Sequence, residues 1–148
     1  MSSVAVREGD REIVRSLLEQ ANLPTDILES GRGNLWLVRD GTATAAGGFE
    51  FYGEDALLRS VVVDPAHRST GMGGRMVEQL LKIAAERRVR RVWLLTETAE
   101  KFFAQRGFVK VERSTITNKE LLASPEFTHV CSTTAVCMLR DLTAITEL

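Results

Sequence analysis

Residues 60–81 read S-V-V-V-D-P-A-H-R-S-T-G-M-G-G-R-M-V-E-Q-L-L, and this stretch decides the fold more than any other part of the chain. The valines at 61–63 predict a buried strand, because β-branched side chains favour an extended backbone. Asp64-Pro65 ends that strand, and a helix with an apolar stripe begins within the glycines that follow. The stretch therefore predicts a strand, a glycine-rich loop and a helix in direct succession.

The loop at 68–75 has the composition of an anion-binding site. Glycines let backbone N–H groups turn toward a ligand and let the ligand approach closely. The first turn of the following helix adds unpaired N–H groups and the positive end of the helix dipole, and phosphate is the usual anion there. Arg68 and Arg75 add fixed positive charge. A glycine-rich turn without a ligand is the alternative, and the two arginines favour the anion site.

Two common phosphate-binding motifs do not fit this loop. The chain has no G-x-x-x-x-G-K-[ST], so a Walker loop is excluded. G-x-G-x-x-G fails as well, because Met76 occupies the position of the last glycine. The spacing that is present is R-x-x-G-x-G, with Arg68, Gly71 and Gly73 entering a helix from a strand.

Composition narrows the class of protein. A chain of 148 residues suits one domain with a full hydrophobic core, so we expect a single domain over 1–148. The net charge of −1 predicts no nucleic-acid partner. No apolar run approaches the ~18 residues that span a bilayer, and the N-terminus lacks a signal-peptide core. These features predict a cytoplasmic protein without a membrane partner.

The sequence predicts no metal site. Cys131 and Cys137 lie six residues apart without a second cysteine cluster, which is not the spacing of zinc ligands. His67 and His129 do not complete a ligand set. Both cysteines are expected to be small, buried apolar residues.

The rest of the chain predicts the element order β-α-α-β-β-β-α-β-α-β-β, which is one mixed α/β fold. Asp10 is expected to cap the first helix, and Asp40-Gly41 is a hairpin signal. Gly47-Gly48 suggests a bulge within a strand, and Gly53-Glu54-Asp55 a turn. Thr96 or Thr98 is expected to cap the short helix that follows the fifth strand.

The R-x-x-G-x-G loop resembles the acetyl-CoA pyrophosphate loop of the GNAT N-acetyltransferases. A second stretch, A-E-K-F-F-A-Q-R-G-F at 99–108, resembles that family's N-x-x-A-x-x-L-Y-x-x-x-G-F, with Ala99, Gly107 and Phe108 at matching positions. The resemblance covers nearly the whole chain. It implies an α/β GNAT fold, with a mixed central sheet that splays after the fourth strand and helices that flank it. It also implies an N-acetyltransferase that uses acetyl-CoA as cosubstrate and transfers the acetyl group directly.

The resemblance implies which residues bind the coenzyme. The amides of Val61 and Val63 would pair with the pantetheine arm, strand to strand, and the loop would hold the diphosphate. The expected set is Val61, Val62, Val63, Arg68, Ser69, Thr70, Gly71, Met72, Gly73, Gly74, Arg75, Thr96, Thr98, Phe102 and Phe103.

Two positions depart from the family pattern. Thr96 stands where the family often has an asparagine that bonds pantetheine, and Phe103 where many members have a tyrosine that protonates the leaving thiolate. Either another donor serves, or the thiolate leaves unassisted and takes a proton from water, which its acidity allows. A coenzyme-A-binding sensor without turnover therefore stays open as an alternative.

Three further stretches, 50–53, 58–63 and 94–103, resemble a small subgroup of arsenic-resistance N-acetyltransferases. That subgroup is similar to the domain that acetylates glutamate for arginine synthesis. Ser132 departs from it, since a proline is expected there. The resemblance implies a small amine, an amino acid or an amino-acid analogue, as acceptor. Acetylation of a protein N-terminus or lysine is the alternative, and a homodimer stays open.

Four residues are predicted to act on the acceptor. An amine must lose a proton before it attacks the thioester, and Glu50 is the predicted base, with Glu54 as the alternative. Tyr52 is the second predicted catalytic residue. Arg59 lies in an apolar run and is predicted to bind the acceptor's carboxylate together with Ser60; an internal salt bridge between Arg59 and Glu50 is the alternative.

Overall fold

The computed structural model describes residues 3–5, 10–29, 33–40, 43–67, 71–130 and 134–143. The strands are β1 (Ser3–Ala5), β2 (Gly33–Asp40), β3 (Ala43–Tyr52), β4 (Asp55–Val63), β5 (Arg91–Thr96), β6 (Val109–Lys110) and β7 (Val136–Asp141). The α-helices are α1 (Arg11–Gln20), α2 (Met72–Glu86), α3 (Glu100–Ala104) and α4 (Lys119–Leu122). Short 3₁₀ turns cover Asp26–Leu28, Pro65–His67 and Arg113–Thr115, and a π-helical turn covers Glu126–Val130.

The described strands form one mixed sheet in the order β1-β2-β3-β4-β5-β7-β6. The β4–β5 pair is parallel, whereas β1–β2, β2–β3, β5–β7 and β6–β7 are antiparallel. The parallel register joins Asp55 to Arg91 and Leu57 to Trp93, and β4 runs on to Val63 beyond it. The predicted α/β class, with a mixed sheet that splays after its fourth strand, is confirmed.

The chain divides into two compact units. The first contains Met1–Glu50 and Leu58–Ile83, and the second contains Phe51–Leu57 and Ala84–Leu148. Strands β3 and β4 each contribute residues to both units.

The core of the first unit lies between α1, the 3₁₀ turn at Asp26–Leu28 and strands β2 and β3. Helix α1 places Val14, Leu17 and Leu18 on one face, at the spacing of an apolar helical stripe. These three side chains are buried and belong to one cluster with Ile27, Leu28, Leu35, Leu37, Ala46 and Val62. Burial of this apolar stripe holds the 3₁₀ turn in place.

Gly47 and Gly48 do not form a bulge against β2, because β2 and β3 keep a continuous register through both positions. Lack of space explains the glycines instead. A Cβ on Gly47 would lie 2.6 Å from Cδ1 of Leu80. A Cβ on Gly48 would lie 2.7 Å from Cδ1 of Ile27 and 2.8 Å from the carbonyl oxygen of Asn34. Close-packed interiors do not accommodate such approaches, so the two glycines let other groups pack against β3.

The second unit has its own core. Tyr52, Leu57, Trp93, Ile116, Leu121 and Cys137 are buried together there. Asn118 caps α4 by accepting a hydrogen bond from the backbone N–H of Leu121 at 3.1 Å. The sequence of residues 116–123 predicts a helical turn or two, and the structure has one turn, which begins at a side-chain cap.

Three local predictions need correction or qualification. Asp55 is the first residue of β4 and not part of the preceding turn. Asp10 stands at the N-cap position of α1, but its side chain makes no capping bond there and instead accepts from Arg39 at 3.1 Å. The β2–β3 register reaches Asp40 opposite Ala43, as a hairpin requires, although Gly41 itself lies outside the described residues.

Candidate functional site

The glycine-rich loop is described from Gly71 onward; Arg68, Ser69 and Thr70 lie outside the described residues. Gly71 has a φ of +84°, a left-handed conformation that residues with a Cβ rarely adopt. A Cβ built there would meet nothing within 4 Å, so the glycine is required by its backbone conformation and not by crowding. The sequence places glycine where the chain must turn directly into a helix.

Helix α2 begins immediately after that turn, at Met72. Gly73 and Gly74 lie in its first turn, where backbone N–H groups are not used within the helix. Arg75 is exposed, and its backbone N–H donates to the carbonyl of Gly71 at 3.1 Å. Two glycines thus lie in the first turn, which carries the positive end of the helix dipole and has an arginine beside it.

The end of β4 has an unusual backbone. Ser60 has a φ of +63° within the strand, although it is not a glycine. A left-handed residue interrupts the regular alternation of a strand, as in a bulge, and re-aims the residues that follow. Val61 and Val63 are half-buried after this point, whereas Val62 is buried. The irregularity that was predicted at Gly47-Gly48 in β3 is therefore found in β4.

Arg59 lies at the centre of a buried ionic cluster in the first unit. Its Nη1 donates to Oε2 of Glu50 at 3.0 Å, and both side chains are only 1% exposed. Its Nη1 and Nη2 also donate to the two carboxylate oxygens of Asp26, at 3.1 and 2.5 Å. This is a two-point fork between a guanidinium and a carboxylate, the strongest geometry available to this pair.

The internal salt bridge between Arg59 and Glu50 that the sequence left open is thus present. It accounts for a charge within an apolar run, because a buried guanidinium needs carboxylate partners. It leaves the predicted roles of Glu50 as base and Arg59 as carboxylate receptor untested. Asp26 is a third member that the sequence analysis missed, since 33 residues separate it from Arg59 and its short turn carries no motif.

Tyr52 belongs to the second unit, and its side chain is 5% exposed within that unit's core. Its backbone carbonyl accepts from Nδ2 of Asn118 at 2.8 Å. Glu54, the alternative base, lies in the turn before β4, and its half-exposed side chain pairs with Arg90 at 3.4 Å. Glu54 is therefore a solvated surface residue.

Aromatic side chains surround position 103 in the second unit. The ring centroids of Phe103 and Phe102 are 5.0 Å apart, and those of Phe103 and Phe108 are 5.6 Å apart, both edge to face. The guanidinium of Arg106 lies over the ring of Phe102 at 3.9 Å from its centroid. Phe103 is buried, so this position contributes a packed ring and no proton donor.

Neither Thr96 nor Thr98 caps α3, because the N-cap residue of that helix is Ala99 and no side chain makes a capping bond there. The Oγ1 of Thr96 instead accepts a hydrogen bond from the backbone N–H of Ala99 at 3.0 Å, which closes the turn between β5 and α3. Thr98 is exposed. Whether either threonine bonds pantetheine stays a prediction.

A second buried acid lies in the second unit, on Asp55, which the sequence analysis placed in a turn. Its carboxylate accepts from Nε of Arg91 at 2.8 Å, from Nε1 of Trp93 at 2.8 Å and from Nδ2 of Asn118 at 3.0 Å. Burial alone would raise the pKa of Asp55, but the bonds from Arg91, Asn118 and Trp93 outweigh it and lower that pKa. Asp55 thus joins β4, β5 and the start of α4 within that unit.

Cysteine and metal chemistry find little support in the described part of the chain. Cys137 is buried, and burial raises the pKa of its thiol, which keeps it protonated near neutral pH. Cys131 lies outside the described residues. Within the described ranges, no group of three or more His, Cys, Asp and Glu side chains could hold a metal ion. No helix of the described chain is long and apolar enough to cross a membrane.

Comparison with known sequences agrees with the loop geometry. The sequence model of the acetyltransferase (GNAT) family matches residues 6–108. Over 60 residues the chain is 40% identical to an amino-acid acetyltransferase from Mycobacterium tuberculosis (strain ATCC 25618 / H37Rv). That match covers 40% of this chain and 34% of the relative, so the chain spans about a third of the relative's length.

Solved structures share the fold. Rv2747 from Mycobacterium tuberculosis, solved with CoA, has a TM-score of 0.75 at 22% identity over 94% of this chain and 99% of that one. N-acetylglutamate synthase from Neisseria gonorrhoeae, solved with coenzyme A and L-arginine, has a TM-score of 0.75 at 14% identity, over 96% of this chain and 33% of that one. At these identities the likeness is one of fold.

Proposed function

The chain belongs to the acetyltransferase (GNAT) family, and we propose that it moves an acetyl group from acetyl-CoA to the amine of a small amino acid or amino-acid analogue. The observation that carries the proposal is the β4-loop-α2 stretch. There a strand ends in half-buried valines, Gly71 turns at positive φ, and a helix opens on glycines. Relatives of the same fold were solved with CoA, which supports acetyl-CoA as the cosubstrate.

We assign the diphosphate of the coenzyme to the loop and the first turn of α2. Backbone N–H groups of Gly73 and Gly74 would donate to the phosphate oxygens, and Arg68 and Arg75 would supply positive charge. The amides of Val61 and Val63 would pair with the pantetheine arm, since they follow the left-handed Ser60. The remaining members of the expected set, among them Val62, Ser69, Thr70, Met72 and the residues at 96, 98, 102 and 103, keep their proposed places around the coenzyme.

The acceptor proposal depends on Arg59. A guanidinium that already forms a two-point fork with one carboxylate has the geometry to hold another, and an amino acid supplies one. Glu50, bonded to the same guanidinium, is the proposed base for the attacking amine. Ser60, which follows Arg59 in the sequence, is a proposed acceptor-binding residue. The amino-acid acetyltransferase relative supports this class of acceptor. Membership of an arsenic-resistance subgroup is a finer proposal, which an amino-acid analogue among the acceptors would support.

Transfer in this scheme is direct, from thioester to amine, without a covalent enzyme intermediate. The amine loses its proton to Glu50, attacks the thioester carbonyl, and the coenzyme-A thiolate leaves. Phe103 cannot protonate that thiolate, so the proton comes from another donor or from water. Tyr52 is the other proposed catalytic residue, although its ring packs in the core of the second unit.

The experiment that tests the activity is a thiol-release assay with acetyl-CoA and a panel of amino acids, their carboxamides, simple amines and a lysine-containing peptide. Turnover with free amino acids and little with the peptide supports the proposal. Turnover with the peptide alone would instead indicate a protein acetyltransferase. Coenzyme binding without any turnover would support a sensor.

The coenzyme site is tested by Gly71→Ala, with Gly53→Ala as a matched control. Both glycines have positive φ (+84° and +69°) and neither crowds a Cβ, so each substitution carries a similar backbone strain, on the order of 1–2 kcal/mol. We expect Gly71→Ala to weaken acetyl-CoA binding by about tenfold and Gly53→Ala to leave it unchanged, as measured by calorimetry. Equal acetyl-CoA affinities in the two variants would contradict the assignment of the diphosphate to this loop.

A further inference from the structure

Asp26 occupies the part of Arg59 that an acceptor's carboxylate would need. Its two carboxylate oxygens accept hydrogen bonds from Nη1 and Nη2 of Arg59, and Glu50 on β3 also accepts from Nη1. The side chain of Arg59 is 1% exposed, whereas that of Asp26 is 33% exposed. Asp26 is therefore the member of the cluster that faces solvent, and it covers the guanidinium.

The 3₁₀ turn that carries Asp26 is anchored on its other side. Ile27 and Leu28 are 2% and 3% exposed in the core of the first unit. The side chain of Arg11 donates to the carbonyl of Leu28, and Arg15 pairs with Glu29 at 3.3 Å. The backbone of the turn is thus held by packing and by hydrogen bonds. The carboxylate of Asp26 is free to leave the fork only by rotation of its own side chain, between staggered rotamers.

Resting on the proposed function, we propose that Asp26 determines the acceptor class by carboxylate exchange: an incoming acceptor carboxylate displaces the Asp26 carboxylate from the fork of Arg59. The exchange replaces one carboxylate by another, so the guanidinium keeps two anionic partners and no charge is buried without a counterion. An amine without a carboxylate cannot make this replacement and meets a closed fork. Asp26 thereby selects for acceptors that carry an acid group.

Exchange also has a cost in affinity. While Asp26 occupies the fork, only a fraction of the protein can accept the acceptor, and the apparent affinity is reduced by that fraction. Removing the competing charge should raise the competent fraction. A residue that merely stabilised the fold would have no such effect on the acceptor.

The test is Asp26→Asn, with Asp26→Ala as a second variant that also removes the amide's ability to bond Arg59. We expect KM to fall about threefold to tenfold for the amino acid with the highest kcat/KM in the panel. We expect kcat and acetyl-CoA affinity to change little. For the carboxamide of the same amino acid, KM should not fall. The matched control is Glu29→Gln, which removes an equal charge three residues away, where the side chain is 67% exposed and paired with Arg15.

A raised KM for the amino acid in both Asp26 variants would overturn the exchange and make Asp26 a direct acceptor-binding residue. An equal fall for amino acid and carboxamide would overturn it too, because selection by acid group would be absent. An equal fall in Glu29→Gln would assign the effect to overall charge.

The exchange can be measured without turnover. Calorimetric titration of the coenzyme-A-loaded wild type and Asp26→Asn with L-glutamate compares the same fork directly. Tighter binding by the variant supports exchange even if no amino acid is acetylated, which would refute the proposed function alone. Acetylation of amino acids with unchanged binding in the variant refutes the exchange alone.

Discussion

Glu50 and Asp55 are both buried carboxylates on strands of the same sheet, at 1% and 6% exposure, yet their partners differ in kind. Glu50 shares one buried guanidinium with a second carboxylate. Asp55 instead gathers donors from three residues, and its arginine, Arg91, is 39% exposed. In the first cluster a cation is surrounded by anions, whereas in the second an anion is surrounded by donors.

This difference teaches which group each cluster depends on. Asp55 has neutral donors that satisfy it without its arginine, as expected of a junction between structural elements. The carboxylate of Glu50 is held by a guanidinium that is itself almost inaccessible, so the charge of that guanidinium is essential. Among the described residues, two carboxylates share the guanidinium of Arg59, and one of them can be exchanged for another carboxylate. The variants that follow separate these readings.

The largest effect is expected on removing the cation of the first cluster, with a much smaller effect on removing that of the second. Arg59→Leu removes the buried guanidinium that Glu50 and Asp26 share, and we expect the free energy of unfolding to fall by about 3–5 kcal/mol. Arg91→Leu leaves Asp55 with Trp93 and Asn118, and since Arg91 is partly solvated we expect a loss of about 1 kcal/mol or less. Urea denaturation followed by tryptophan fluorescence measures both.

Equal losses in the two variants would contradict the distinction between the clusters. Because Arg59→Leu is expected to be unstable, the functional role of Arg59 is measured on Arg59→Lys, which keeps the charge and loses the fork. Its KM for the amino acid should rise by about one to two decades, the loss of a charge-assisted bond. An unchanged KM in a folded Arg59→Lys protein makes Arg59 purely structural.

A smaller but still large effect is expected on turnover. Glu50→Gln removes the proposed base and should lower kcat by ~10²-fold, with acetyl-CoA affinity retained. Tyr52→Phe should lower kcat less, since Tyr52 is 5% exposed among core residues of the second unit. Both variants are measured side by side across pH. A rise in KM for the acceptor without a loss of kcat would make Glu50 a positioning residue for Arg59, and a greater kcat loss in Tyr52→Phe would reverse the two roles.

A modest effect that depends on pH is expected from Asp55→Asn. The pKa of Asp55 is lowered in the folded protein, so its contribution is fully present above the ordinary aspartate pKa and is lost as pH falls through the lowered value. We expect the free energy of unfolding of the wild type to exceed that of the variant by about 1–2 kcal/mol near neutral pH. The difference should narrow below pH ~4. Denaturation curves between acid and neutral pH measure it, and a difference that does not change with pH would mean that ionised Asp55 contributes nothing.

Local signals in the sequence were sufficient for much of the fold. The valine run, the glycines of the loop and the stripe of α2 predict a strand, a turn and a helix, because each depends on neighbours in the chain. The mixed sheet followed from the order of elements and from the family resemblance. The left-handed turn at Gly71 agrees with the role that glycine was expected to have there.

Contacts between distant residues were beyond the sequence. Asp26 meets Arg59 across 33 positions, and Asn118 meets Asp55 across 63, without any motif to link them. Gly47 was predicted to mark a bulge, since a glycine pair within a strand suggests one. The true reason for that glycine is crowding by Leu80 of α2, which the sequence of the strand does not reveal. The bulge-like residue is a serine, and serine carries no signal for positive φ. Asp55 gave a usable hint of its buried cluster, because it lies directly before an apolar strand and a charge that begins a buried strand needs a partner.

The two neighbouring glycines of β3 differ in how they constrain the substitutions that this chain can accumulate. The group that would crowd a side chain at Gly47 is the end of the Leu80 side chain, so a smaller residue at 80 makes room for a larger one at 47. Those two positions are then epistatic, and substitutions are tolerated at one according to the residue at the other. Gly48 would meet a backbone carbonyl at Asn34, which no side-chain substitution removes. Gly47 can therefore be replaced once a second mutation has made room for a side chain, whereas Gly48 cannot be replaced in this way.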